Sequence, residues 1–191
     1  MSAAVQSVST CHSFPQHLRS LSFAYQHEGS PEMHTFPHRY VVTAAGESTG
    51  SMQIGSQGLP ALQATAPPEF GGPSGFWSPE TLLVAAMAGC FLLTFRSLAR
   101  AARLTWIRLE CRVAGVLDRV EGRSRFTRFE IAATLEICCQ ADLERARRLL
   151  EKAEGDCLVG NSLSGQRSLT ADVIVISTDT GTPNVKATET A

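Results

Sequence analysis

No histidine follows position 38: the five stand at 12, 17, 27, 34 and 38, ahead of the first convincing strand. A Cys–His hydrolase or a His-rich metal enzyme would have to draw its imidazole from a ragged N-terminal stretch, so both classes are set aside. No CxxC pair occurs among the six cysteines (11, 90, 111, 138, 139 and 157), and their spacing makes no regular framework. A zinc site and a disulfide scaffold are both disfavoured on that ground. Charge of neither sign is in excess. The formal net charge is −1, and the Lys and Arg gathered in 96–128 are interrupted by Glu110, Asp118 and Glu121. Nucleic-acid binders usually show a basic face, and a solvated strand face accounts for this cluster, so no nucleic-acid partner is expected. No secretory hydrophobic region is seen, and the longest apolar stretch reads as too short and too broken to span a bilayer. The expected setting is the reducing cytoplasm, where paired cysteines serve catalysis or redox sensing more often than structure.

What remains is an ordinary globular composition: 191 residues, 43% apolar and 18% charged, enough for one domain with a proper core. Residues 1–36, rich in Ser, His and Pro, read as a disordered extension. A transit peptide and a start at Met33 are the alternatives. The folded domain is placed at 37–177 and a polar tail at 178–191. Short strands are predicted at Tyr40–Thr43, Ser51–Ile54 and Ala61–Ala64, forming an antiparallel meander. The Pro- and Gly-rich run 66–77 reads as a loop. Ser78-Pro79-Glu80 then supplies an N-cap, a proline at the first helical position and an acidic first turn. The helix it opens should run to about Arg103. Its first half is apolar almost all round, which predicts burial on most sides, and Arg96, Arg100 and Arg103 mark its last turns.

Two alternating segments, Thr105–Val113 and Phe126–Ile131, are joined by a charged, Gly-containing stretch from Asp118 to Arg123, the pattern of a hairpin. Asp142 is the expected cap of a second helix, Leu143–Ala153, and Leu169–Val175 is the last strand. The order β-β-β, α, β-β, α, β predicts an α+β fold. A helix apolar over its first half calls for cover on most sides; a homodimer that wraps it is the natural solution, and a thick sheet on one side is the alternative.

Cys90 falls inside the first helix and Cys157 at the end of the second. A thiol so placed either fills space or reacts with a partner, and two in matched settings raise the idea of a reactive thiol and its resolving thiol. Cys138 and Cys139 are adjacent in a predicted strand and point to opposite faces. Cys111 reads as core, and Cys11 lies in the tail. Phe70, Phe76, Trp77, Phe91 and Phe95 either line an apolar channel or belong to the core.

The runs PEFGG, SPETLLVAAMAGCFLLTF, RFTRFEI and LLEKAEGDCLVGNSL, in that order across about 38–176, resemble the osmotically inducible protein C and organic hydroperoxide resistance (OsmC-like) family. The resemblance implies an intertwined homodimer with two central helices, the first largely buried, wrapped by antiparallel sheets. It implies a peroxidase acting on organic hydroperoxides without metal or other cofactor, re-reduced by a small dithiol or a lipoylated protein. Carried over by position, Cys90 matches the peroxidatic cysteine, Cys157 the resolving cysteine, and Glu80 the glutamate at the helix start. Glu80 and Cys90 are about 15 Å apart along a helix, so Glu80 would orient a cation rather than touch the sulfur, or simply complement the helix dipole. Two departures stand out. Leu158 occupies the place of a common proline, and the loop AAGESTGS lacks the arginine of the hydroperoxide resistance branch, for which Arg39, before the first strand, is the candidate substitute. The alternative readings are a slow or non-enzymatic stress or binding protein and a thiol redox sensor.

Overall fold

The computed structural model describes residues 35–176. The expected extension therefore lies almost wholly outside the described residues, as does the expected tail. Three short strands, β1 (Thr43–Ala45), β2 (Met52–Gly55) and β3 (Leu62–Ala64), form an antiparallel meander. Propensity favours a strand from Tyr40, but Tyr40, Val41 and Val42 are exposed and the ladder to β2 begins only at Thr43, opposite Gly55. Pairing, not propensity, sets the start.

Ser78 opens α1 (Pro79–Ala101) as expected. Its Oγ accepts from Thr81 N–H (3.2 Å) while its own N–H donates to Thr81 Oγ1 (2.9 Å), a reciprocal box that satisfies donors the first turn cannot. The helix ends where Arg103 enters the left-handed region (φ 54°) and Leu104 N–H returns to Ala99 O.

Strands β4 (Arg108–Val120) and β5 (Arg123–Ile137) make a long antiparallel hairpin. Its two-residue turn, Glu121-Gly122, has both φ values positive (52° and 77°), the geometry that matches the twist of the flanking strands. The alternation on β5 puts Phe129, Ile131, Ala133, Leu135 and Ile137 on the buried face. Arg128 and Glu130 pair on the solvent side. The chain then crosses through α2 (Leu143–Gly155) and the single turn α3 (Leu158–Asn161) to β6 (Gln166–Val175).

That crossover lays β6 parallel to β5, from Arg128 opposite Gln166 to Ile137 opposite Val175. The expectation of wholly antiparallel sheets is therefore wrong for this edge: a helical connection carries the chain back to the end where β5 began. Asp142 is the N-cap residue of α2 as expected, but its side chain makes no capping hydrogen bond. It closes a 3-10 turn, and its Oδ1 accepts from Arg145. Cys138 and Cys139 follow the end of β5 rather than lying within it.

The α+β class stands, with the core between one face of this sheet and the helices. Met87, Phe91, Phe95 and Ala99, spaced four apart on α1, are fully buried, as are Ala146, Leu150 and Ala153 of α2. Burial of a side chain the size of Phe91 or Phe95 contributes roughly 1.5–3 kcal/mol. Phe95 meets Trp106 edge to face at 5.5 Å. The rest of α1 is not enclosed. Leu93 is 58% exposed, so within one copy of the chain the helix buries a stripe and not most of its circumference. At 23 residues, with an 18-residue stretch of mean hydropathy 1.9, α1 would be long and apolar enough to cross a membrane, contrary to the expectation of a broken run. Its packing is that of a core helix along one stripe.

Candidate functional site: a thiol pair at the junction of two helices

Cys90 lies midway along α1, one residue before the buried Phe91, so its side chain points away from the centre of the core stripe. Cys157 sits between α2 and α3. The turn at Asp156 ends α2, and Cys157, with extended backbone (φ −64°, ψ 105°), serves as the N-cap of α3. Gly160 N–H donates to Cys157 Sγ at 3.4 Å, and Val159 N–H, from the same turn, donates to Cys90 Sγ at 3.5 Å. Two residues distant in sequence thus present their sulfurs to consecutive amides. The thiols also interact directly, and Cys90 is a cause of the raised pKa of Cys157.

The environments differ. Cys157 is 1% exposed, and burial is the largest reason that its thiol is pushed up. Cys90 adds to the rise, while the Gly160 amide and the positive charge of Arg167 oppose it. Cys90 instead borders an open, mainly apolar hollow of about 720 Å³, with Gly89, Leu93, Thr94, Leu158 and Val159 around it. Leu158, where the proline was expected, is 70% exposed at the rim of that hollow.

Glu80 is not brought to the thiols. It lines a separate apolar cavity of about 390 Å³ with Phe70, Ser78, Val84, Gly115 and Phe126. Its Oε2 is buried there with no hydrogen-bond partner. A buried acceptor left unmet costs about 1–3 kcal/mol, more when charged. Phe91 and Phe95 are core, whereas Phe70, Phe76 and Trp77 are 58%, 45% and 46% exposed, and only Phe70 of these three borders the Glu80 cavity.

Two neighbours were not foreseen. Cys111, half-buried on β4, lies near enough to Cys157 to feel it electrostatically; burial first, and then Cys157, pushes the Cys111 thiol up to about 11. Arg167, on β6, takes the helix-facing side of the strand together with Leu169, Ala171, Val173 and Val175. The strand was expected only from Leu169. Extending its alternation two residues back would have placed an arginine on an apolar face, a signal that it has a specific partner. Among the described residues no group of three or more His, Cys, Asp or Glu side chains is placed to hold a metal.

Residues 71–172 match the family model described as OsmC-like protein. No curated protein sequence matches the chain. Among solved structures, an OsmC-like protein from Vibrio cholerae superimposes with a TM-score of 0.63 at 16% identity, over 72% of this chain and 100% of that one. An organic hydroperoxide resistance protein from Elizabethkingia anophelis gives 0.61 at 20% identity, over 75% and 100%. One from Legionella pneumophila gives 0.57 at 24% identity, over 74% and 100%. At these identities the structural likeness concerns the fold.

Proposed function

The chain belongs to the OsmC-like family, and from that premise we propose that it is a thiol-dependent peroxidase for organic hydroperoxides, with Cys90 peroxidatic and Cys157 resolving. The observation that carries the reading is the convergence of both sulfurs on the amides of Val159 and Gly160. The Cys90 thiolate attacks the terminal oxygen of ROOH. The O–O bond breaks, the alkoxide takes a proton and leaves as ROH, and Cys90 becomes a sulfenic acid. The Val159 N–H aimed at the sulfur stabilises negative charge there. Cys157 then attacks the sulfenic sulfur. The S–S bond forms, and hydroxide leaves with the Cys157 proton as water. A small dithiol or a lipoylated protein supplies two electrons to reopen the disulfide. The scheme needs no metal or other cofactor, and it suits the reducing cytoplasm.

A homodimer completes this reading. Leu93 and Leu158 are exposed beside the hollow at Cys90, and the Glu80 carboxylate lacks a partner for Oε2. A second copy, intertwined so that two α1 helices are wrapped by the sheets, would cover the first and supply a donor to the second. Glu80 would then orient a cation. The second reading, a stress or binding protein with little turnover, is favoured by the β1–β2 loop, which carries no arginine.

The test is peptide mapping by mass after one equivalent of cumene hydroperoxide is added to reduced protein. A rapid Cys90–Cys157 disulfide, absent in Cys90→Ser, is expected. Slow oxidation scattered over the six cysteines would remove the enzyme reading and leave the second.

A further inference from the structure

Arg167 is held as no other described arginine is. Its Nε lies 2.7 Å from Glu154 Oε1, in the last turn of α2, and the pair is only 20% and 23% exposed. The pairs Arg108–Glu110 and Arg128–Glu130, by contrast, leave more than half of each side chain in solvent. From the same guanidinium, Nη1 donates to Asn161 Oδ1 at 2.9 Å, and Asn161 Nδ2 donates to Gly155 O at 2.9 Å. One planar cation therefore ties β6 to the end of α2 and to the end of α3, on both sides of Cys157.

Gly160 is part of the same device. A Cβ there would stand 2.6 Å from Arg167 Nη1, so the absence of a side chain lets the guanidinium lie against the backbone that bonds Cys157. The charge also acts on the sulfur, since Arg167 opposes the rise in the Cys157 pKa that burial causes.

We infer that Arg167 is the positioning cation of the thiol pair, clamping the α2–α3 junction through Glu154 and Asn161 so that Cys157 faces Cys90 and closes the disulfide. This rests on the peroxidase reading for its consequence but not for its geometry. The step served is Cys90–SOH plus Cys157–SH giving the disulfide and water, the organic hydroperoxide being the oxidant. Without the clamp the sulfenic acid still forms but waits longer, and a second hydroperoxide takes it to sulfinic acid.

The experiment compares wild type, Arg167→Gln and Arg167→Lys, mixing reduced protein with cumene hydroperoxide and dimedone and quenching at intervals. Arg167→Gln should consume the first equivalent at the wild-type rate yet shift the product from disulfide to dimedone adduct about tenfold at neutral pH. The gap should narrow as pH rises and Cys157 ionises without help. Arg167→Lys, which keeps the charge but not the two-way fork, should recover only part of the loss. A merely structural defect would slow sulfenic acid formation equally, at every pH, and would overturn the inference. So would unchanged partition in Arg167→Gln.

A second measurement stands apart from peroxide chemistry: ultraviolet thiolate absorbance against pH, each protein differenced against its Cys157→Ser counterpart. Arg167→Gln should move the Cys157 transition to higher pH, and Arg167→Lys should move it less. Identical curves would overturn the inference even if wild type proves to be no peroxidase. A wild type that forms no disulfide, with curves that do separate, would refute the enzyme reading and keep Arg167 as the cation of the pair.

Discussion

Gly115→Ala should be among the most damaging single-methyl additions to this chain, because that glycine sits where α1 crosses β4. A Cβ at Gly115 would stand 2.7 Å from Phe126 Cε1 and 2.8 Å from Val84 Cγ2. Comfortable carbon–carbon separation is about 3.5–4.0 Å, so the shortfall is close to 1 Å on two sides at once. Neither neighbour yields easily. Val84 is β-branched and stiff at χ1, and Phe126 is stacked on Phe129 with centroids 5.3 Å apart. The helix must lift instead, opening the stripe that buries Met87 and Phe91. Overpacking of this kind costs about 1–3 kcal/mol, which for a chain of this size lowers Tm by roughly 2–4 °C per kcal/mol. The assay is thermal unfolding at one protein concentration for wild type, Gly115→Ala, Val84→Ala and the double variant. Removing the Val84 methyls makes room, so the double variant should be more stable than the sum of the single losses predicts, by about 0.5–2 kcal/mol. Strict additivity, or a Gly115→Ala protein as stable as wild type, would refute the claim that α1 rests on this glycine.

Two further outcomes follow from the described contacts. Cys111 titrates near 11 in the folded chain against 9.0 unperturbed, so the unfolded chain loses its proton first as pH rises. The stability that this thiol contributes is therefore complete below about 9 and declines toward 11. The urea midpoint should fall across that window, and Cys111→Ala should flatten the fall; an unchanged slope would contradict it. Ser78→Ala removes one half of the cap of α1 and should cost about 1 kcal/mol in chemical denaturation, with Ser78→Gly costing less.

Much of the fold was legible because it is written locally. The Ser78-Pro79-Glu80 start, the hairpin around Glu121-Gly122 and the buried alternation of β5 each need only neighbouring residues. Parallel β6 was not legible. Alternation on an edge strand looks the same for either direction of pairing, and only the path through α2 decides it. The exposure of α1 was hidden for a related reason. An apolar run records that a helix will be covered, not whether its own chain or another supplies the cover. At the candidate site, the meeting of Cys90 with Cys157 was visible as two thiols in matched settings. Glu80 was placed on the correct helix end, but the sequence could not say that it faces a separate cavity. Arg167 escaped because its strand was begun three residues too late, at Leu169 instead of Gln166.

The two thiols carry different burdens, and the difference fits the order in which the proposed reaction would use them. A resting thiolate is open to peroxide, so a resolving thiol that ionised early would compete with its partner and be oxidised for nothing. Burial keeps Cys157 protonated near neutrality, which protects it. The same burial would also make it slow to attack the sulfenic acid when the moment comes. The Gly160 amide and Arg167 act against that second effect without removing the first, since neither cancels the upward push. A thiol held protonated but within reach of a cation and an amide is poised for one partner, and the thiol hydrogen-bonded to it is Cys90, whose own amide donor comes from the adjoining residue, Val159. The raised pKa of Cys157, which taken alone would read as the mark of an inert core cysteine, is on this geometry compatible with the resolving role proposed for it.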